Sequence, residues 1–176
     1  MNKMIILDFE TNSSKTYDVI EAAAVKLEVQ NGEYTITDKF HRYYLSREAV
    51  NPYSYEVHKL TPEKILNHRE GKNYATYFKE DLDFIEFCKD SETLVAHNIS
   101  FELRHIEGLA SFKNHICTMK ENKHTVKALN KNNKIKNPKL NETCLYYGIE
   151  FDEFQYHSAT YDVSKTYEIL KRMKID

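Results

Sequence analysis

Glycine is scarce in this chain: four residues, at positions 32, 71, 108 and 148, stand far apart in 176. A dinucleotide loop, a phosphate-cradling P-loop and a nucleophile elbow each need closely spaced glycines, so all three are excluded. Cysteine is equally sparse, with Cys88, Cys117 and Cys144 forming an odd set without C-x-x-C spacing. Neither a disulfide framework nor a structural zinc site is indicated. No stretch approaches the roughly 18–20 apolar residues of a membrane span, and the start of the chain lacks a signal peptide's long apolar core. The expectation is a cytoplasmic protein with no membrane partner. Net charge is small as well, at −2.

The 41% hydrophobic and 30% charged residues are those of a soluble globular protein. A length of 176 fits one domain over 1–176 with a sizeable core. Charge is unevenly spread. Between residues 120 and 139, seven lysines (120, 123, 127, 131, 134, 136 and 139) face one acid, Glu121, a local +6 against −8 for the rest. Such a segment fits a phosphate-backbone ligand. It reads equally well as a solvated Asn/Lys-rich loop.

Residues 4–9 (MIILDF) read as a buried strand, apolar up to Asp8. Two further β-rich runs, 19–29 and 34–45, flank Asn31-Gly32, a strong hairpin signal, so three antiparallel strands are expected first. Within the second strand, Ala22-Ala23-Ala24 points to close packing against a helix. Thr61-Pro62-Glu63 carries a helix start. Apolar residues at 78, 82, 85 and 88 predict one helix over 74–89. Strands at Thr93–Ala96 and 115–118 alternate with helices at 99–110 (capped by Asn98), 118–130, 138–147 and 158–173, with 130–138 as a loop. The pattern is α/β with a mixed sheet.

Asp8 and Glu10 are spaced i, i+2, which puts both carboxylates on one side of a strand. Like charges that close repel unless a cation neutralises them. A strand-end turn also explains such a pair, but Asp8 closes an apolar run and has no obvious structural partner. Glu102 falls early in the helix after Asn98, where a surface pairing with Arg104 or His105 is the simpler reading taken alone. His157 precedes the last helix and Asp162 lies in its first turns. Four separated segments thus bring carboxylates and an imidazole to element ends. Cys117 with His115 or His124 is better read as a buried strand cysteine than as a nucleophile–base pair.

In order and spacing, ILDFET (6–11), LVAHNISFE (94–102) and HSATYD (157–162) resemble the three motifs of the DEDDh family, 3′–5′ exonucleases of the proofreading-subunit type. IEAAAVK (20–26), VHKLTPE (57–63) and CTM (117–119) also look like family segments, so the resemblance spans nearly the whole chain. It implies an RNase H-like α/β fold with a central mixed five-stranded sheet flanked by helices. It implies catalytic positions at Asp8, Glu10, Glu102, His157 and Asp162. By this likeness the four carboxylates hold two Mg²⁺ or Mn²⁺ ions about 3.5–4 Å apart, and His157 takes the proton of the attacking water. Thr11, His58 and Phe101 match positions near the terminal nucleotide. The implied activity is release of nucleoside 5′-monophosphates from single-stranded or frayed 3′ ends of DNA, with a DNA polymerase as a candidate partner. The alternatives are an RNA-trimming enzyme of the same chemistry and a non-cutting module that binds nucleic acid or a polymerase. One departure stands out: the family carries Asp where this chain has Glu102, whose extra methylene moves the carboxylate about 1.5 Å further. The loop 12–17 also lacks the glycine many relatives carry there.

Overall fold

The computed structural model describes residues 2–173. Its centre is a five-stranded sheet in the order β3-β2-β1-β4-β5. Strands β1 (Asn2–Thr11), β2 (Val19–Gln30) and β3 (Glu33–Tyr43) form an antiparallel meander, while β4 (Thr93–Ala96) and β5 (Asn114–Cys117) run parallel to β1. This is the expected RNase H-like mixed sheet. Asn31 (φ 53°) and Gly32 (φ 79°) make the turn between β2 and β3, as a two-residue hairpin with two left-handed positions requires.

Strand periodicity divides the core between the two sheet faces. Ile5, Leu7 and Phe9 face an aromatic cluster with Phe40, Tyr44, Phe78, Phe84 and Phe87. Met4, Ile6 and Ala23 face Ala159, Val163 and Leu170 of helix α8 (Ala159–Arg172). Alanine at position 23 leaves room for that helix to lie close, which is what the triple-alanine run forecast. Asp8 and Glu10 continue the Met4–Ile6 face, so β1 delivers both carboxylates beneath the start of α8.

The remaining helices are α1 (Pro52–His58), α2 (Pro62–Arg69), α3 (Leu82–Cys88), α4 (Ile99–Ile106), α5 (Thr118–Glu121), α6 (Lys123–Val126) and α7 (Leu140–Tyr146). No helix among the described residues is long and apolar enough to cross a membrane.

Helix α4 stops at Ile106, short of the expected 110, and three segments depart further from expectation. The 74–89 segment is not one helix: a 3₁₀ turn at Phe78–Glu80 precedes α3, and Leu82 is exposed rather than packed. Asp81 makes the break. Its carboxylate accepts the N–H groups of Asp83 and Phe84 as an N-cap, and it also takes Arg42 Nη1 and the Tyr44 hydroxyl, each at 2.8 Å. A helix running through position 81 would lose that cap. The 118–130 segment likewise splits at buried Asn122, whose side chain donates to the Thr118 carbonyl and accepts from the Tyr147 hydroxyl; Lys127 (φ 54°) then ends the run. Finally, α1 lies in a stretch with no predicted helix. It is capped by Asn51, whose Oδ1 accepts from Tyr53 and Ser54, with Pro52 at the first helical position.

Candidate active site

All five predicted catalytic residues come to one end of the sheet, at the carboxyl ends of the parallel strands. Glu10 is buried on β1, and a register shift directly after it re-aims the chain at Thr11. Asp162 sits on the buried stripe of α8 with Ala159, Val163 and Thr166, one turn in from the N-terminus, where the helix dipole favours an anion. His157, in the left-handed region at φ 66°, stacks on Tyr156 with ring centroids 3.7 Å apart. Ligand atoms of Glu10, His157 and Asp162 all lie within 4.8 Å of one another.

Asp8 and Glu102 stand outside that tightest group but belong to the same field. Asp8, half-buried, has its carboxyl pushed well above the usual range by desolvation first, then by Asp162, Glu102 and Glu10. Desolvation leads for Glu10 as well, with Asp162, Glu21 and Glu102 adding to it. Burial lifts Glu102 to about 8. It lifts Asp162 to about 7, the backbone N–H of His157 opposing the rise. Glu102 is only 2% exposed, which rules out the surface pairing with Arg104 or His105. Its Oε2 and Asp162 Oδ1 are buried without any hydrogen-bond partner. Buried carboxylate oxygens with no protein donor are costly unless protonated or bound to a cation. The donor set therefore fits divalent metal ions, which take hard oxygen ligands.

The predicted substrate residues surround this cluster unevenly. Thr11 ends β1 beside Glu10. His58 is buried at the end of α1; its Nδ1 accepts the Leu60 N–H at 3.0 Å and its Nε2 is unpartnered. Desolvation holds its pKa below the ordinary value, with Glu21 and His157 both near enough to act on it. Phe101 is half-buried against His105, centroids 4.4 Å apart, and packs on the aromatic core. Asn98 occupies the N-cap position of α4, but its side chain makes no capping bond, contrary to expectation. In the glycine-free loop, Asn12 is buried and its amide donates to Ser46 Oγ and the Ala49 carbonyl, each at 3.0 Å.

Sequence reasoning missed Glu21. It pairs in register with Glu10 across β1 and β2, is 1% exposed, and accepts His41 Nε2 at 2.8 Å. Tyr43 lies opposite it in register on β3, and desolvation with Glu21 raises that phenol above its ordinary value. IEAAAVK stood out as a segment, but only the strand register puts this fifth carboxylate opposite Glu10. In the lysine-rich segment, Leu129 and Ile135 form an isolated bridge, Lys136 pairs with Glu142, and Lys139 lies close enough to lower the pKa of His157.

No curated protein matches the sequence. Among solved structures, Exonuclease X in complex with 5′-overhanging duplex DNA is similar with a TM-score of 0.62 at 18% identity, covering 96% of this chain and 90% of that one. A 3′-exonuclease bound for recognition of a histone mRNA stem-loop matches with a TM-score of 0.67 at 16% identity, over 98% and 81%. Escherichia coli Exonuclease I in complex with a dT13 oligonucleotide matches with 0.71 at 14% identity; this chain covers about two fifths (41%) of its length. These likenesses establish the fold. The exonuclease family model of RNase T type matches residues 5–170, nearly the whole chain. The protein belongs to that family, the DEDDh-type 3′–5′ exonucleases.

Proposed function

We propose that this protein is a metal-dependent exonuclease that removes nucleoside 5′-monophosphates from single-stranded or frayed 3′ ends of DNA. One observation carries the reading: four carboxylates from three elements converge at one end of the sheet, with two of their oxygens buried and unpartnered. Such a cluster is unfavourable by itself and favourable around cations.

Asp8, Glu10, Glu102 and Asp162 would hold two divalent ions, Mg²⁺ or Mn²⁺. When bound, these ions supply an activated water and offset the charge of the phosphodiester. His157 has its pKa lowered by partial burial, so its ring is neutral near pH 7 and free to accept the water's proton. Stacking on Tyr156 fixes the direction in which the ring faces. Thr11, His58 and Phe101 would line the seat of the terminal nucleotide. Glu21, opposite Glu10 in register and paired with His41, adds to the field that raises the Glu10 carboxyl.

The test uses DNA and RNA oligonucleotides labelled at the 3′ or the 5′ end, with Mg²⁺, Mn²⁺ or EDTA. Metal-dependent release of the 3′ label as a mononucleotide, with a shortening 5′-labelled ladder, is expected. Binding without cleavage under every metal sinks the enzyme and leaves the binding module. Preference for the RNA strand would move the substrate to RNA with the chemistry unchanged.

Glu102→Asp is the matching variant. Its shorter arm restores the family's residue, and cleavage of the DNA oligonucleotide is expected to equal the parent or exceed it by up to about tenfold, roughly 1.4 kcal/mol in the barrier. A tenfold loss in kcat would show that this site is built around the longer side chain.

A further inference from the structure

Of nine phenylalanines in the chain, five are buried and three are half-buried. Phe154 alone is fully exposed. An unsheltered aromatic ring is unremarkable on a distant surface, but this one lines a cleft of about 550 Å³ with Val57, His58, Tyr156, His157 and Tyr161. Val57 is also largely exposed, so the cleft has an aromatic and an aliphatic lip. His157 belongs both to this cleft and to the group it forms with Glu10 and Asp162, so the cleft adjoins the carboxylate cluster. Among the described residues, no aspartate or glutamate lines the cleft, in contrast to the cluster it adjoins.

The loop carrying the ring is held in place. The Phe154 N–H donates to Asp152 Oδ1 at 2.9 Å and the Gln155 amide donates to Asp152 Oδ2 at 2.8 Å. The Asp152 N–H in turn donates to the Tyr161 hydroxyl, tying the loop to α8. An aromatic ring carried into water on an anchored loop, beside a proton acceptor, suits a flat ring attached to a phosphate chain.

We infer that Phe154 is a substrate-contacting residue: a nucleobase next to the scissile phosphate lies in this cleft, stacked on Phe154 and bordered by Val57. The inference rests on the nuclease reading of the adjoining carboxylates and adds a base seat on the side of His157.

The experiment uses the whole protein with Ca²⁺ and single-stranded oligonucleotides carrying 2-aminopurine at the terminal or the penultimate 3′ nucleotide. The parent is expected to quench the probe at one of these positions. Phe154→Leu keeps bulk without a stacking face; it should abolish that quenching and weaken binding roughly 5- to 100-fold, the usual effect of losing one base–aromatic stack. Phe154→Trp should restore both. The variants should melt with the parent, because the ring packs on nothing. In Mg²⁺ or Mn²⁺, Phe154→Leu should raise KM with little change in kcat. Unchanged quenching and affinity in Phe154→Leu would overturn the inference, whether or not the ring then serves a protein partner. Weakened binding with quenching intact at both positions would overturn it too. Failure of the nuclease reading shows separately, as absent cleavage by the parent with the quenching still present.

Discussion

Exchanging Asp8 for asparagine is expected to cut cleavage at least about 10³-fold while raising the melting temperature of the metal-free protein. The two effects have one cause. Asp8 sits where the fields of Asp162, Glu102 and Glu10 overlap, behind desolvation in the order of what raises its pKa. In the proposed mechanism it would help to hold the ions, so its loss would weaken the metal site on which cleavage depends. Metal-derived stabilisation is worth several kcal/mol, and each 1.4 kcal/mol is a decade in rate. In the absence of metal, the same carboxylate only adds repulsion to a partly desolvated cluster. Asparagine keeps the shape and gives the neighbouring carboxylates an amide donor. Relief of about 1 kcal/mol would lift the melting temperature by roughly 2–4 °C in a chain of this size. Calorimetry in EDTA and kcat/KM on a single-stranded oligonucleotide check both halves. Activity within tenfold of the parent would remove Asp8 from the metal site; a lowered melting temperature would mean that the activity loss reported unfolding.

Much of this was legible in the chain because strand period and turn chemistry are local signals. The i, i+2 spacing of Asp8 and Glu10 could be read at once, and so could the Asn31-Gly32 turn that sets the pairing of β2 with β3. What escaped depends on contacts made far away in sequence. Asp81 breaks the 74–89 helix because Arg42 and Tyr44, on and just after β3, hold its carboxylate. Periodicity alone counted Leu82 as core, whereas the buried positions are Phe84, Phe87 and Cys88. Glu21 acquires meaning only when cross-strand register sets it against Glu10. Glu102 shows the same limit from the other side. Local spacing offered Arg104 and His105 as partners, and only the packing of α4 buries the carboxylate without either. Exposure is a tertiary property, so Phe154 could not be told from the eight other phenylalanines in the linear sequence.

Stability of the metal-free protein is expected to fall as pH rises from about 6.5 to 8.5, and divalent ions are expected to reverse that trend. Burial raises Glu102 from an ordinary 4.5 to about 8 and Asp162 from 3.8 to about 7. The folded protein therefore keeps protons that an unfolded chain releases above roughly pH 4–5. The stabilisation from these two groups is fully present below that range and is lost as pH climbs through 7 and 8. Histidines act in the opposite sense at lower pH: burial depresses His97 to about 4, and it lowers His58, His105 and His157 too. Their contribution disappears as pH falls below about 6.5, which sets the lower limit of the informative window. Between 6.5 and 8.5 the two carboxyls together account for about 2–3 kcal/mol, or roughly 5–10 °C in melting temperature. Mg²⁺ or Mn²⁺ competes with the same protons, so the gain from adding metal should grow with pH over this window. Thermal melts in EDTA and in excess Mn²⁺, taken at half-unit steps, measure both slopes. A flat profile in EDTA would mean that Glu102 and Asp162 ionise without strain in the folded protein, and their unpartnered oxygens would then call for no cation. Cleavage should rise across the same pH range, because the protons that leave these carboxylates are the ones that block the metal ligands.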